Sequence, residues 1–182
     1  MNIDILAKQG KTTEYGSMVE SVATRLYDLR KKAIKDRFQD FQNNEHRLEF
    51  VAKIRGVEYI NDSMACNINS TWYALENIKK PIIWIVGGQT KDTDFKALYN
   101  LVKNKVKVII CMGIDNEPIK TVYSSIGLSI IETASAFSAV ESSYLVAQEG
   151  DAVLLSPACP SFDLFESYED RGVQFKNAVN EL

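Results

Sequence analysis

The chain has 182 residues, 46% of them hydrophobic and 25% charged, and 21 Lys plus Arg against 24 Asp plus Glu leave a formal net charge of −3. That length suits one domain of ordinary size, with or without an appendage, burying about 70% of its unfolded surface. The charge balance gives no electrostatic reason for nucleic acid or an anionic membrane as partner, and the longest apolar runs, Pro81–Val86 and Val106–Met112, fall far short of the ~18 residues of a membrane span.

From about Ser17 to Phe41 the pattern is helical. Met18, Val22, Leu26, Leu29 and Ala33 recur at three- and four-residue spacing, flanked by Arg30, Lys31, Lys32 and Lys35 as on a solvated helix face. After His46 the period changes to two. Leu48, Phe50, Ala52 and Ile54 alternate with Glu49, Val51 and Lys53, which predicts a half-buried strand. Arg55-Gly56 supplies a turn and Val57–Ile60 a second strand. Helical stretches are expected around 70–78, near 94–102, over 134–147 and from about Phe162 to the end. Strands are expected at 82–86, 106–111, 128–131 and 152–155. The run Ile82-Ile83-Trp84-Ile85-Val86 is continuously apolar, as in a strand covered on both faces. Strands alternating with helices predict an α/β fold, a Rossmann-like, mainly parallel three-layer sheet preceded by a helical extension. Ligands in such folds bind at the carboxyl ends of the strands.

Four segments at such positions carry chemistry. Gly10-Lys11-Thr12 has the ending of a phosphate loop but lacks the preceding apolar strand and the first glycine, where Ile5 stands. It also reads as a polar lead-in to the helix. Arg47, before one strand, and Asp62, after the next, suit a nucleotide: guanidinium pairs with phosphate, and carboxylate accepts from ribose hydroxyls. Gly87-Gly88-Gln89-Thr90-Lys91 lets backbone approach a ligand and offers a lysine. In Ser156-Pro157-Ala158-Cys159-Pro160-Ser161, Ser161 either aims at a carboxylate or caps a helix. Cys66, Cys111 and Cys159 are widely spaced and outside CxxC pairs. With one histidine, they argue against a disulfide framework or zinc site and fit a reducing cytoplasm.

Taken in order, Glu45-His46-Arg47-Leu48-Glu49, Asn61-Asp62-Ser63-x-Ala65-x-Asn67-x-x-Ser70-Thr71, Gly87-Gly88-x-x-Lys91-x-x-Asp94-Phe95, Leu154-Leu155-Ser156-Pro157-Ala158-Cys159-x-Ser161-x-Asp163-x-Phe165 and Arg171-Gly172-x-x-Phe175 resemble the Mur ligases. The resemblance runs from about Gly10 to the C-terminus. It implies that residues 1–44 are the closing helix and linker of a central domain and that 45–182 form the C-terminal Rossmann-like domain. It also implies ATP-dependent amide formation in peptidoglycan precursor synthesis, with ATP and magnesium, D-glutamate as incoming amino acid and UDP-MurNAc-L-Ala as acceptor. By the same resemblance Arg47 contacts nucleotide phosphates and Asp62 the ribose. Lys91, Ser161, Tyr168 (usually Phe in the family) and the backbone of Phe162 would hold D-glutamate.

Departures from the family pattern fall on ligand positions. Met64 and Cys66 stand where the family usually has Lys and Thr, and a thioether cannot pair with a carboxylate. Thr12, Thr13 and Gly16 replace His, Asn and Asn in the stretch Gly10–Met18, removing nucleotide contacts. The phosphate loop, magnesium carboxylates and UDP-binding region of the family have no counterpart in this sequence. A chain inactive on its own, monomeric and cytoplasmic, is therefore expected, with no tightly bound cofactor. The alternative is a non-catalytic binding or interaction module derived from the same domain.

Overall fold

The computed structural model describes residues 21–22, 24–26, 28–29, 32–33, 44–91 and 93–182. The chain divides into two compact units, Met1–Asp40 and Phe41–Leu182. In the first, every described position between 21 and 33 is helical. The remainder of the expected Ser17–Phe41 helix lies outside the described residues, as do Gly10-Lys11-Thr12, Thr13 and Gly16.

The second unit runs β1 (Glu49–Ile54), β2 (Val57–Asn61), α1 (Ile68–Asn77), β3 (Ile82–Val86), a 3-10 turn (Phe95–Leu98), α2 (Tyr99–Lys105), β4 (Val106–Met112), α3 (Glu117–Tyr123), a 3-10 turn (Ser124–Ile126), β5 (Ser129–Thr133), α4 (Ala136–Val146), β6 (Ala152–Leu155) and α5 (Tyr168–Asn180). The six strands form one sheet in the order β1-β2-β6-β3-β4-β5. Only β1 is antiparallel, joined to β2 by the Arg55-Gly56 turn, where both residues take positive φ. The other neighbours pair in parallel. The α/β expectation holds.

The central strands explain their own sequences. Every residue of β3 and β6 is buried, because helices cover both faces. Successive side chains of β3 point to opposite layers. Ile83 and Ile85 join Val153, Leu155, Ile110 and Met112 under α4 and α5, which contribute Ala139, Val140, Phe175 and Val179. Trp84 points the other way, edge-on to Tyr123 at 5.8 Å, and Tyr123 meets Phe95 at 6.4 Å. The Tyr123 hydroxyl donates to the Phe95 carbonyl at 2.9 Å, so this buried phenol is satisfied. Burying a ring such as Phe175 contributes roughly 2–3 kcal/mol.

Two elements differ from the sequence expectation. The alternation of β1 breaks at a bulge between Phe50 and Ala52. The extra residue reverses the phase, so Phe50 faces out, 60% exposed, while Val51, Ala52 and Ile54 pack on the core. The last helix begins at Tyr168 and not near Phe162, capped by Ser167, whose hydroxyl accepts from the Asp170 amide at 3.2 Å. The Ser161 carbonyl instead closes a turn, accepting from Leu164 N and Phe165 N at 3.3 and 3.0 Å. Ser161 is therefore not the cap.

Candidate functional site

The carboxyl ends of β2, β6, β3 and β4 lie side by side, and the loops leaving them are joined by main-chain hydrogen bonds. Asp62 N donates to Leu155 O at 2.8 Å, carrying the β2–β6 ladder one residue past the strands. Gly87 N donates to Pro157 O at 3.0 Å and Gln89 N to Pro160 O at 2.9 Å. These bonds tie the loop bearing Lys91 to the loop bearing Ser161. Gly87 has φ +133, and a Cβ there would sit 2.6 Å from the Met112 carbonyl, so only glycine lets these backbones approach. From the next loop, Ile114 N donates to the Asp163 carboxylate at 3.1 Å.

Arg47 and Asp62 are brought together. Nη1 of Arg47 lies 3.6 Å from Asp62 Oδ1, and both side chains are buried. Arg47 sits between His46 at φ 61 and Leu48 at φ 43, a pair of left-handed residues that turns the chain sharply before β1. The same turn directs Leu48 N onto Asp62 Oδ1 at 3.2 Å. The guanidinium lies 5.9 Å over the Tyr73 ring. Asp62 also accepts from the Ser156 hydroxyl at 3.0 Å. Burial pushes its carboxyl up to about 7, against the opposing pull of Arg47, Ser156 and the Leu48 amide.

The amino-acid positions are more dispersed. Lys91 is exposed, Ser161 is buried and Phe162 is exposed at 67%. Tyr168 opens α5, half-buried, its ring edge-on to His46 at 6.4 Å. Its carbonyl accepts from the Ser63 hydroxyl at 2.7 Å. Met64 and Cys66 are partly exposed in the turn after β2, where Met64 N donates to the His46 carbonyl at 3.1 Å.

Arg171 escaped the sequence reading as a site residue. It is completely buried and donates through Nε to Ser63 Oγ at 3.0 Å, Nη1 to Cys159 O at 3.2 Å and Nη2 to Ser63 O at 2.9 Å. Nη2 also lies 3.3 Å from Cys66 Sγ. One guanidinium thus braces the turn after β2 against the loop after β6, and desolvation lowers its pKa. The available signal was its spacing: Arg171, Phe175 and Ala178 fall on one helix face, and all three are buried.

Among the described residues no group of three or more His, Cys, Asp or Glu side chains converges as a metal site. No described helix is long and apolar enough to cross a membrane. Two cavities, of about 360 and 470 Å³, open at the amino ends of the strands. The larger is lined by Lys79, Lys80, Lys105 and Lys107, but three of these are engaged locally. Lys80 pairs with Glu58 and Lys107 with Asp151, while Lys105 donates to carbonyls at the end of α1.

A mostly parallel sheet with a buried Arg–Asp pair and glycine-bearing loops at its carboxyl edge defines a Rossmann-like domain. Residues 46–159 match the family profile described as Mur ligase, glutamate ligase domain, and the chain belongs to the Mur ligase family. It is 49% identical over 177 residues to a UDP-N-acetylmuramoylalanine--D-glutamate ligase of Christiangramia forsetii, covering 97% of this chain and 40% of the relative. The enzyme of the same description from Porphyromonas gingivalis is 45% identical over 182 residues, 100% of this chain and 40% of its own length. The chain therefore spans about 40% of the length of these curated relatives.

Solved structures share the fold at low identity. A murein peptide ligase of Psychrobacter arcticus aligns with TM-score 0.54 and 12% identity over 76% of this chain and 30% of its own. A bifunctional folylpolyglutamate synthase/dihydrofolate synthase of Yersinia pestis, complexed with AMPPNP and Mn ion, aligns with TM-score 0.54 and 15% identity over 77% of this chain and 32% of its own.

Proposed function

We propose that this chain is the C-terminal domain of an ATP-dependent ligase that adds D-glutamate to UDP-MurNAc-L-Ala in the cytoplasm, and that the chain by itself does not turn over. What carries the reading is its near-complete alignment, at 49% identity, with a D-glutamate ligase. In that reaction ATP phosphorylates the acceptor carboxylate, the amine of D-glutamate attacks the acyl phosphate, and phosphate leaves as the amide forms. Arg47 meets nucleotide phosphates and Asp62 the ribose hydroxyls, from the edge of the sheet where such folds bind ligands. Lys91, Ser161, the Phe162 backbone and Tyr168 face D-glutamate. Residues 1–44 act as the linker from a central domain, and the chain is a monomer.

Phosphate release tests the inactivity, with the purified chain, ATP, magnesium, UDP-MurNAc-L-Ala and D-glutamate. The expected result is no release above blank; clear turnover overturns it. Calorimetry with ADP and with D-glutamate tests the two part-sites. A second reading, a binding or interaction module that kept the fold and lost the chemistry, is favoured by Met64 and Cys66. Binding of D-glutamate argues against it.

A further inference from the structure

We propose that the carboxyl edge of the sheet binds an internal water molecule over Gly113, held by Asn116, Asp163 and the Gly88 amide. The site is separate from Arg47, Asp62 and the residues assigned to D-glutamate, and it does not depend on their roles.

Asn116 is only 6% exposed, and its Oδ1 is a buried acceptor with no hydrogen-bond donor among the described residues. Turning the amide round does not satisfy it. Nδ2 donates to Gly113 O at 3.1 Å and reaches Glu132 Oε2 at 3.4 Å, so a flipped amide would set an oxygen against two acceptors. Nor does Oδ1 serve its own helix. Asn116 precedes α3 without a side-chain capping bond, and Asp115 Oδ1 takes the Glu117 amide at 3.1 Å instead. An acceptor buried in this way needs a donor, because without one it forfeits the hydration it has in the unfolded chain.

Two further polar atoms share its surroundings. A Cβ built on Gly113 would lie 3.2 Å from Asn116 Oδ1, 3.2 Å from Asp163 Oδ2 and 3.0 Å from Gly88 N. The three atoms come from three loops, those leaving β4, β6 and β3, and each is fixed independently. Asp163 Oδ2 accepts from Ile114 N at 3.1 Å and Oδ1 from Leu164 N at 2.9 Å. The amides on either side of Gly88 are tied to Pro157 O and Pro160 O, which sets the Gly88 amide between them. Glycine at 113 keeps side-chain atoms away from the point that these groups surround.

The chemistry of the three atoms selects the occupant. Two are acceptors and one is an amide donor. A water molecule matches them with both protons and one lone pair: it donates to Asn116 Oδ1 and Asp163 Oδ2 and accepts from Gly88 N–H. Buried waters typically make about three such bonds. A divalent cation would find two oxygens and an opposing N–H, where it takes about six oxygen ligands. An anion would meet the Asp163 carboxylate. The water fastens the loop after β4 to its two neighbours, in addition to the Ile114–Asp163 bond.

Two measurements on the full chain test this, a crystal structure that shows ordered solvent and NMR cross-relaxation between water and the Gly88 amide. The wild type is expected to show a solvent peak within about 2.7–3.2 Å of all three atoms. It should also show a water cross peak at Gly88 with the sign of a long-lived water. Gly113→Ala sets a methyl group at the same point and is expected to lose both signals. A wild-type structure with no solvent peak there overturns the proposal, as does a Gly88 cross peak with the sign of fast surface solvent. Anomalous scattering at the point after soaking in rubidium chloride would assign a cation and overturn it equally. A cross peak that persists unchanged in Gly113→Ala places the water elsewhere. If the alanine variant folds poorly, the two wild-type signals decide the matter.

Discussion

The Cα of Gly172 lies against the imidazole of His46 with no room for a Cβ between them. The ring is held there by Asn61, whose Nδ2 donates to His46 Nδ1 at 2.8 Å and also reaches Glu49 Oε2 at 3.1 Å. In that bond the Asn61 amide donates and His46 Nδ1 accepts. Gly172 is thus the point at which α5 admits the turn carrying Arg47. Gly172→Ala should lower unfolding stability by about 1–3 kcal/mol through overpacking, despite the better helix propensity of alanine. In a His46→Ala background the same substitution should become neutral or favourable. Urea denaturation of the four proteins of this cycle measures the coupling, and purely additive effects would contradict it.

Asp62 makes stability depend on pH in an unusual direction. Its folded pKa, about 7, lies above its ordinary value of 3.8. The folded state therefore holds a proton that the unfolded state has released between about pH 4 and 7. By linkage the cost of the buried charge is absent below pH 4, grows as pH rises and is complete above pH 7. Asp62→Asn lacks this component. Its stability relative to wild type should be more favourable at pH 8 than at pH 5, by on the order of 2–4 kcal/mol. Denaturant midpoints at the two pH values check this, and an equal difference at both would refute it.

Arg171 should not tolerate lysine. A single ammonium cannot reproduce the fork that reaches Ser63 Oγ, Ser63 O and Cys159 O together. Arg171→Lys is expected to cost roughly 2–4 kcal/mol of stability with the denaturant slope unchanged. A loss under ~0.5 kcal/mol would mean that the brace between the two loops is dispensable.

The three thiols should separate by reactivity. Cys111 and Cys159 are buried, and burial pushes them up to about 12 and about 11. Cys66 is partly exposed. A thiol reagent at pH 8 should modify one cysteine in the native chain and all three after unfolding, and Cys66→Ser should abolish the native reaction. Mass spectrometry of the labelled peptide identifies the site.

If an amino-acid carboxylate approaches the turn after β2, restoring the family residues there should restore its grip. Met64→Lys combined with Cys66→Thr is expected to strengthen D-glutamate binding at least tenfold in calorimetry, equivalent to about 1.4 kcal/mol. Unchanged affinity would place the carboxylate elsewhere.

The sheet was largely readable because burial on two faces demands uninterrupted apolar runs, and 82–86 and 152–155 supply them. The phase of β1 was not. The bulge at Phe50–Ala52 arises from pairing with β2, and a local period cannot report it. The start of α5 was obscured by Phe162, an apolar residue that stays exposed, while the capping signal lay five residues further on at Ser167. Arg47 and Asp62 stand out in the sequence because they flank predicted strands, and the structure brings the two side chains together. Ser156 and Thr71 meet across 85 residues and leave no local pattern. Arg171 stands in the sequence as a motif position with no role attached, and its part as a brace shows only once its helix face is drawn.

The loops at the carboxyl edge are fastened amide to carbonyl, from Asp62 to Leu155, Gly87 to Pro157 and Gln89 to Pro160. Fastenings of that kind use main-chain atoms, and Gly87 is the donor among them whose lack of a side chain the approach requires. Met64 is held in the same way, its amide on the His46 carbonyl, so its side chain can change while the framework around it keeps its shape. Architecture and chemistry are encoded in different atoms of the same segments, so a lineage can lose one and go on inheriting the other.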